Sequence, residues 1–133
     1  MDIKIGETKQ NIDLKTYQKL AEKTAKKDFA TRTEEILTWG CGISGEAGDV
    51  ASCIKKTFAH NKDVSEGIKE NLGDMMWYTA MICNFFKWDF NEILEQNIEK
   101  LKKRFPEGFT YDAVNRDMVK WSGVHVKEEK TKK

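Results

Sequence analysis

Apolar residues recur every three or four positions in four segments of the chain, which is the spacing of helices that bury one face. This pattern predicts helices over about residues 14–27, 31–58, 65–86 and 89–105. Asp13 precedes the first segment, and Thr31 with Glu34 opens the second with the spacing of a capping box. Residues 75–86 are apolar almost all round, as expected of a helix in the middle of a bundle.

Composition supports an all-α fold. The 133 residues contain one proline, Pro106, so almost no position forbids the interior of a helix. A chain of this length forms a single domain with one core. We expect a helical domain over residues 13–109, an N-terminal arm over residues 1–12, and a C-terminal extension over residues 110–133 that ends in a disordered basic tail.

Charge and cysteine usage exclude several classes of protein. The net charge is only +1, so the chain lacks the basic surface of a dedicated nucleic-acid binder and no nucleic-acid polymer is expected as a partner. The three cysteines lack CxxC spacing and are expected to be reduced, mostly buried thiols. The longest apolar stretch is too short to span a bilayer, and no signal segment is recognisable. We therefore expect a cytoplasmic protein with no membrane partner.

Acidic residues lie one helical turn apart on two predicted helices, beside apolar positions. Glu46 and Asp49 form the first pair, and Asp74 forms the second with either Glu70 or Asn71. Burying carboxylates is costly unless a cation or a hydrogen-bond donor compensates their charge. Oxygen ligands at this spacing suit a hard cation such as Mg²⁺ or Mn²⁺. The two pairs therefore predict a metal site.

Four glycines interrupt the predicted helix that carries the first acidic pair, namely Gly40, Gly42, Gly45 and Gly48. Each costs about 1 kcal/mol relative to alanine in a helix interior, so something should compensate for them. Close packing of a neighbouring helix would do so, and so would space for a ligand beside the carboxylates. The sequence is compatible with both explanations.

The fourth predicted helix carries donors suited to phosphate. Asn97 interrupts its apolar face, and Lys100 and Arg104 follow on the same strip at spacings of three and seven. Arginine binds phosphate oxygens in a bidentate way, and a hard cation held by carboxylates needs phosphate oxygens or waters to complete its shell. Together with the acidic pairs, this strip describes a metal-assisted phosphoanhydride hydrolase.

Residues 46–49, 70–78 and 97–109 resemble, in order and spacing, segments of the MazG-like all-α nucleoside triphosphate pyrophosphohydrolases. The similarity extends over residues 17–109. It implies a four-helix-bundle-like fold that assembles as a homodimer or homotetramer and uses Mg²⁺. It also implies cleavage of a nucleoside triphosphate, (d)NTP, between the α and β phosphates. The products would be the monophosphate and pyrophosphate, an activity that suits house-cleaning of the nucleotide pool.

The resemblance assigns roles to individual residues. Glu46 and Asp49 fall on an ExxE pair, and Asp74 ends an ExxD pair; these three are the implied catalytic residues. The implied metal ligands are Glu46, Asp49, Asp74 and either Glu70 or Asn71. The segment that meets the phosphates corresponds to Asn97, Lys100 and Arg104.

The chain departs from the family pattern at three of these positions. Asp49 replaces a glutamate, which keeps the charge and shortens its reach. The family usually has glutamate where Asn71 stands, so either the Asn71 carbonyl or the adjacent Glu70 carboxylate would serve as ligand. Gly45 stands where the family often has a glutamate linked to activating the water.

Other functions fit parts of the pattern. Gly45 and Asn71 leave the acidic cluster with fewer carboxylates than the family pattern has. The alternative is therefore a catalytically weakened helical protein used for binding or assembly. A di-iron bundle lacks support because neither histidine lies in a Glu-x-x-His pair. Trp39 lies two turns before Glu46 on the same side and is a candidate for stacking on a base, with packing in the core as the other explanation.

Overall fold

The computed structural model describes residues 11–114, and its regular elements there are all helices. The five helices are α1 (Leu14–Glu22), α2 (Arg32–Ala59), α3 (Ser65–Phe86), α4 (Phe90–Arg104) and α5 (Tyr111–Val114). An isolated bridge joins Pro106 to Gly108, and no strand occurs within the described range. The prediction of an all-α fold is confirmed. Most of the predicted N-terminal arm and of the predicted C-terminal tail, residues 1–10 and 115–133, lies outside the described residues.

Helix α1 ends at Glu22, about five residues earlier than the apolar spacing predicts. Asp13 caps it as expected, since its carboxylate accepts a hydrogen bond from the Thr16 N–H at 2.7 Å. After Glu22 the backbone turns tightly. The Thr24 hydroxyl accepts a hydrogen bond from the Trp77 indole N–H at 2.7 Å. A tertiary contact to α3 thus accompanies the early end of the helix, and local sequence carries no signal of it.

Helix α2 begins where its capping residues predict. The Thr31 hydroxyl accepts a hydrogen bond from the Glu34 N–H at 3.0 Å. The Glu34 carboxylate reaches back one residue further than in a standard capping box and accepts from the Ala30 N–H at 3.0 Å. Both hydrogen bonds satisfy backbone donors at the start of a 28-residue helix.

Helix α3 occupies the predicted residues, and its N-cap residue makes no side-chain hydrogen bond. Val64 is the N-cap residue, and Asp63 accepts instead from the Ser65 N–H at 3.0 Å. Lys87 ends the helix in the left-handed conformation at φ 58°. The Lys87 N–H donates to the carbonyls of the last turn, which satisfies groups that a helix end leaves unpaired.

Helices α2 and α3 pack against each other in antiparallel directions. Arg32 near the start of α2 lies over the ring of Phe85 at the end of α3, whereas Cys53 near the end of α2 contacts Asn71 near the start of α3. Helix α1 packs on α3 as well. The three helices enclose the core, whose buried members are Ala21, Trp39, Ala80, Met81, Cys83 and Phe90.

Aromatic rings form one layer of this core. Trp39 makes edge-to-face contacts with Phe29 and Trp77, at centroid distances of 5.2 and 5.4 Å, and Trp77 contacts Tyr78 at 5.1 Å. Such pairs add to the free energy of burying the rings.

The cysteines and the apolar residues of α3 are less buried than the sequence predicts. Cys83 is buried, Cys53 is half-buried and Cys41 is exposed, so the expectation of mostly buried thiols is wrong for Cys41. Met76 and Phe86 of α3 are also exposed although they lie in the stretch expected at the middle of a bundle. None of the helices within residues 11–114 is both long and apolar enough to cross a lipid bilayer.

The described chain divides into two compact units. The boundary falls within α4, between Ile93 and Leu94. The first unit contains α1, α2, α3 and the first turn of α4. The second contains the rest of α4 and α5.

Candidate active site

The antiparallel packing of α2 and α3 brings the predicted acidic residues together. Gly42 of α2 lies against the ring of Tyr78 of α3, and Cys53 lies against Asn71. Glu46 is one turn beyond Gly42, and Asp74 is one turn before Tyr78, so this register places the two carboxyl groups at the same level of the helix pair.

Glu46 is half-buried and lies at the centre of the acidic cluster. Its removal from water raises the pKa of its carboxyl above the ordinary value of 4.5. Neighbouring carboxylates raise this pKa further by repulsion, in decreasing order those of Asp74, Asp49 and Glu70. The structure therefore brings the other three predicted acids within electrostatic range of Glu46.

This cluster has no compensating ion pair within residues 11–114. Among the residues that the structure describes, no lysine or arginine forms an ion pair with Glu46, Asp49, Glu70 or Asp74. Within residues 11–114, no three or more His, Cys, Asp or Glu side chains already form a group that could hold a metal ion. Glu46 and Asp74 are half-buried, whereas Asp49 and Glu70 are exposed. The chemistry of these carboxylate donors fits a hard divalent cation, although their side chains are not gathered around one point.

The two candidates for the second ligand pair have different surroundings. Asn71 is half-buried, and its side-chain NH₂ group donates a hydrogen bond to the Cys53 Sγ atom at 3.7 Å. Glu70 is exposed, and its charge is the weakest of the three that raise the pKa of Glu46. Glu70 thus contributes charge to the cluster, while Asn71 is hydrogen-bonded to α2 through Cys53.

Tyr17 joins the cluster from α1. Burial raises the pKa of its hydroxyl above 10.0, and the negative charge of Asp74 raises it further. The apolar spacing of the first helix predicts only that Tyr17 lies on its buried face. Its proximity to Asp74 could not be found from spacing, because it depends on how α1 packs across α3.

The glycines of α2 divide into two groups. A side chain at Gly42 would overlap the ring of Tyr78, so close packing explains this position. A Cβ atom at Gly45 or Gly48 would meet nothing within 4 Å. These two glycines flank Glu46 and precede Asp49, so the helix leaves open space beside the acidic cluster. Close packing therefore explains Gly42, while space for a ligand stays a prediction at Gly45 and Gly48.

The predicted phosphate-binding residues lie on α4 beyond Ile93, in the second unit. Asn97 is exposed, and Lys100 and Arg104 are half-buried. The Arg104 guanidinium lies over the ring of Phe105, 5.3 Å from its centroid. Their spacing of three and seven on a regular helix keeps the three side chains on one strip.

Trp39 is packed in the core. Only 4% of its surface is exposed, and its indole N–H donates to the Glu35 carboxylate at 3.4 Å. Its ring borders a cavity of about 230 Å³ that is also lined by Arg32, Met81 and Phe85. Neither this cavity nor a second one of about 340 Å³ is lined by the acidic cluster of Glu46, Asp49, Glu70 and Asp74. Stacking of Trp39 on a base stays a prediction.

Comparison with known proteins identifies the family. The family model described as "MazG nucleotide pyrophosphohydrolase domain" matches residues 33–109. A similar protein, the Gene 37 protein of Mycobacterium phage L5, is 31% identical over 72 residues, which cover 50% of this chain and 63% of the phage protein. The chain thus spans less than two thirds of that relative's length. No solved structure shows a significant match.

The family match covers more than half of the chain, including Glu46, Asp49 and Asp74 on the packed pair α2 and α3, and Asn97, Lys100 and Arg104 on α4. The resemblance carried by the three sequence segments is therefore confirmed, and the chain belongs to the MazG nucleotide pyrophosphohydrolase domain family.

Proposed function

We propose that this protein is a Mg²⁺-dependent pyrophosphohydrolase that converts a (d)NTP to the monophosphate and pyrophosphate. The observation that carries the proposal is the cluster of mutually repelling carboxylates around Glu46, which has no positive partner among the described residues and matches the family's acidic pairs. Proteins compensate such clusters with a bound cation. The cytoplasmic nucleotide pool is the source of substrate that we propose.

Glu46, Asp49 and Asp74, with Glu70 or Asn71, would hold Mg²⁺, and Mn²⁺ would serve in its place. When bound, the cation would neutralise charge on the phosphates and activate a water molecule. The protein's own contribution is to hold these carboxylates on two packed helices. Gly45 and Gly48 keep that face of α2 free of side chains, which leaves room for a triphosphate next to the ligands.

Asn97, Lys100 and Arg104 are proposed to bind the phosphates. Lysine and arginine neutralise phosphate oxygens, and the guanidinium of Arg104 binds two of them at once. The contact between Arg104 and Phe105 restricts the guanidinium, so less freedom is lost when it binds phosphate.

A second copy of the chain is proposed to complete a MazG-like four-helix bundle in a homodimer or homotetramer. The support is apolar surface left uncovered on α2 and α3. Exposed members of this surface are Leu37, Ile54, Phe58, Leu72 and Met76, of which Phe58 is 81% exposed. Apolar surface of this kind marks an interface between protein chains.

The experiment that tests the function is incubation with a panel of canonical and modified dNTPs and Mg²⁺, with products identified by phosphorus NMR. Monophosphate and pyrophosphate are expected, and a chelator should abolish both. Asp74→Asn should abolish turnover as well. Glu66→Gln is the matched control, because Glu66 lies two turns earlier on α3, is exposed and pairs with Lys69 at 2.9 Å; it should turn over substrate at the native rate.

Other results would reject parts of the proposal. Release of orthophosphate would reject cleavage between the α and β phosphates. Failure of the folded protein to hydrolyse any triphosphate with Mg²⁺ or Mn²⁺ would reject the enzyme proposal in favour of the catalytically weakened binding or assembly protein. Stoichiometric iron in elemental analysis would instead indicate a di-iron bundle.

A further inference from the structure

We propose that Cys53 is a positioning residue for the candidate active site. Its sulfur binds the NH₂ group of Asn71 and thereby leaves the amide oxygen as the atom that Asn71 offers to the cation. This inference rests on the proposed function, since it concerns ligands of the same site. It assigns a role to a cysteine that the family resemblance left without one.

The geometry of three residues supports this role. The Asn71 Nδ2 atom donates to the Cys53 Sγ atom at 3.7 Å, across the contact between α2 and α3. One turn before Asn71, α3 carries Gly67, where an added Cβ atom would lie 3.1 Å from the same sulfur. The thiol therefore fits into a notch in α3 that is open because residue 67 is glycine, and the Asn71 amide closes one side of that notch.

The position of this pair connects it to the acidic cluster. Cys53 follows Asp49 by one helical turn on α2, and Asn71 precedes Asp74 by one turn on α3. Residues at these spacings lie on the same face of a helix. The contact between Cys53 and Asn71 thus lies at the end of the cluster, next to a predicted ligand on each helix.

The chemistry of an amide explains why the contact matters. The side-chain amide of asparagine has an NH₂ group that donates hydrogen bonds and an oxygen that accepts them. Rotating the amide by half a turn exchanges their positions. Only the oxygen binds a cation. A thiol is both a weak acceptor and a weak donor, and in this structure the Asn71 NH₂ group faces the Cys53 sulfur at 3.7 Å, which leaves the amide oxygen outside this contact. A glutamate at position 71 would need no such orientation, because both of its oxygens are ligands.

A double-mutant cycle on cation binding tests this inference without relying on catalysis. The dissociation constant for Mn²⁺ would be measured from the EPR signal of free Mn²⁺ for the native protein, Cys53→Ala, Asn71→Ala and the double variant. Residues that orient metal ligands change metal affinity by about tenfold or more, so we expect Cys53→Ala to weaken Mn²⁺ binding by about tenfold. In the Asn71→Ala background, the same change should alter the dissociation constant less than about twofold.

Two further variants separate orientation from packing. Cys53→Ser retains an acceptor, so its dissociation constant should lie near the native value. Cys41→Ala removes an exposed thiol from the same helix and should bind Mn²⁺ like the native protein. Thermal melting of each variant would show that it is folded before its affinity is compared.

Several results would overturn the inference. The first is a native dissociation constant for Mn²⁺ in Cys53→Ala, and the second is an equal loss of affinity from Cys53→Ala in the native and the Asn71→Ala backgrounds. The third is Mn²⁺ binding by Cys53→Ser that is as weak as that of Cys53→Ala. The fourth is a native protein that binds no Mn²⁺. Failure of the proposed function gives a different pattern. In that case Mn²⁺ binding and the cycle are as expected, while no triphosphate is hydrolysed.

Discussion

Gly42→Ala should destabilise the protein, whereas Gly45→Ala on the same helix should stabilise it. A Cβ atom at Gly42 would overlap the aromatic ring of Tyr78, while one at Gly45 would meet nothing within 4 Å. The ring of Tyr78 has little freedom to move aside. It lies edge-to-face against Trp77 at 5.1 Å and tilted against the buried Trp39 at 6.3 Å.

The size of the difference follows from two opposing effects. Replacing glycine by alanine inside a helix contributes about 1 kcal/mol of stability at either position. Forcing extra atoms into a packed contact costs about 1–3 kcal/mol. The overlap at Gly42 is severe and is absent at Gly45, so the packing cost at Gly42 should lie at the upper end of this range. We therefore expect a net loss of about 2 kcal/mol at Gly42 and a gain of about 1 kcal/mol at Gly45. In a domain of this size the two variants should melt about 10 °C apart.

Urea unfolding followed by circular dichroism would measure both free energies, with thermal melting as a second readout. Tyr78→Leu supplies the control for the cause, because it removes the ring that the new methyl group would meet. In that background Gly42→Ala should become stabilising, like Gly45→Ala. Equal effects of the two alanine substitutions in the native background would refute the packing of α2 on α3 described above.

Three further predictions concern charge, capping and the connection of α1. In metal-free protein, the pKa of Glu46 lies above its unfolded value of 4.5, so the folded state holds this proton to higher pH and loses stability as pH rises through the raised pKa. Urea unfolding at several pH values should show that the free energy of unfolding of Glu46→Gln rises relative to that of the native chain above pH 4.5. The two free energies should converge below pH 4.5. Thr31→Ala should cost about 1 kcal/mol in the same assay because it removes the cap of α2, while the neighbouring exposed Thr33→Ala should be near neutral. Gln18→Ala should cost about 2 kcal/mol because it removes side-chain hydrogen bonds to α3, to the following loop and to the start of α4; exposed Lys19→Ala serves as its control.

The helices were predictable where their boundaries are set locally. Thr31 and Glu34 satisfy backbone N–H groups within the first turn of α2, so the capping pattern alone locates its start. The end of α1 was not predictable, because the contact between Thr24 and Trp77 spans more than fifty residues of sequence. Gln18 was missed for the same reason, as its partners lie on α3 and beyond.

The acidic pairs were predictable within each helix and not between helices. Spacings of three or four place Glu46 with Asp49, and Glu70 with Asp74, on one face each. Which face meets which depends on the register of α2 against α3. That register includes the close approach of Gly42 to Tyr78, which no pattern of apolar residues reveals.

Asn71 departs from the family pattern, and its side chain makes a specific contact with Cys53. A carboxylate at residue 71 would add a negative charge to a cluster that already raises the pKa of Glu46, and it could not donate to the sulfur of Cys53. Asparagine avoids the added repulsion and supplies the donor. At the proposed Mg²⁺ site this leaves one fewer charge to attract the cation, so binding there would depend more on how the neutral ligand is oriented. If the proposed site is correct, the Cys53 contact and the open face at Gly45 and Gly48 would make the departures from the family pattern parts of one site rather than independent losses.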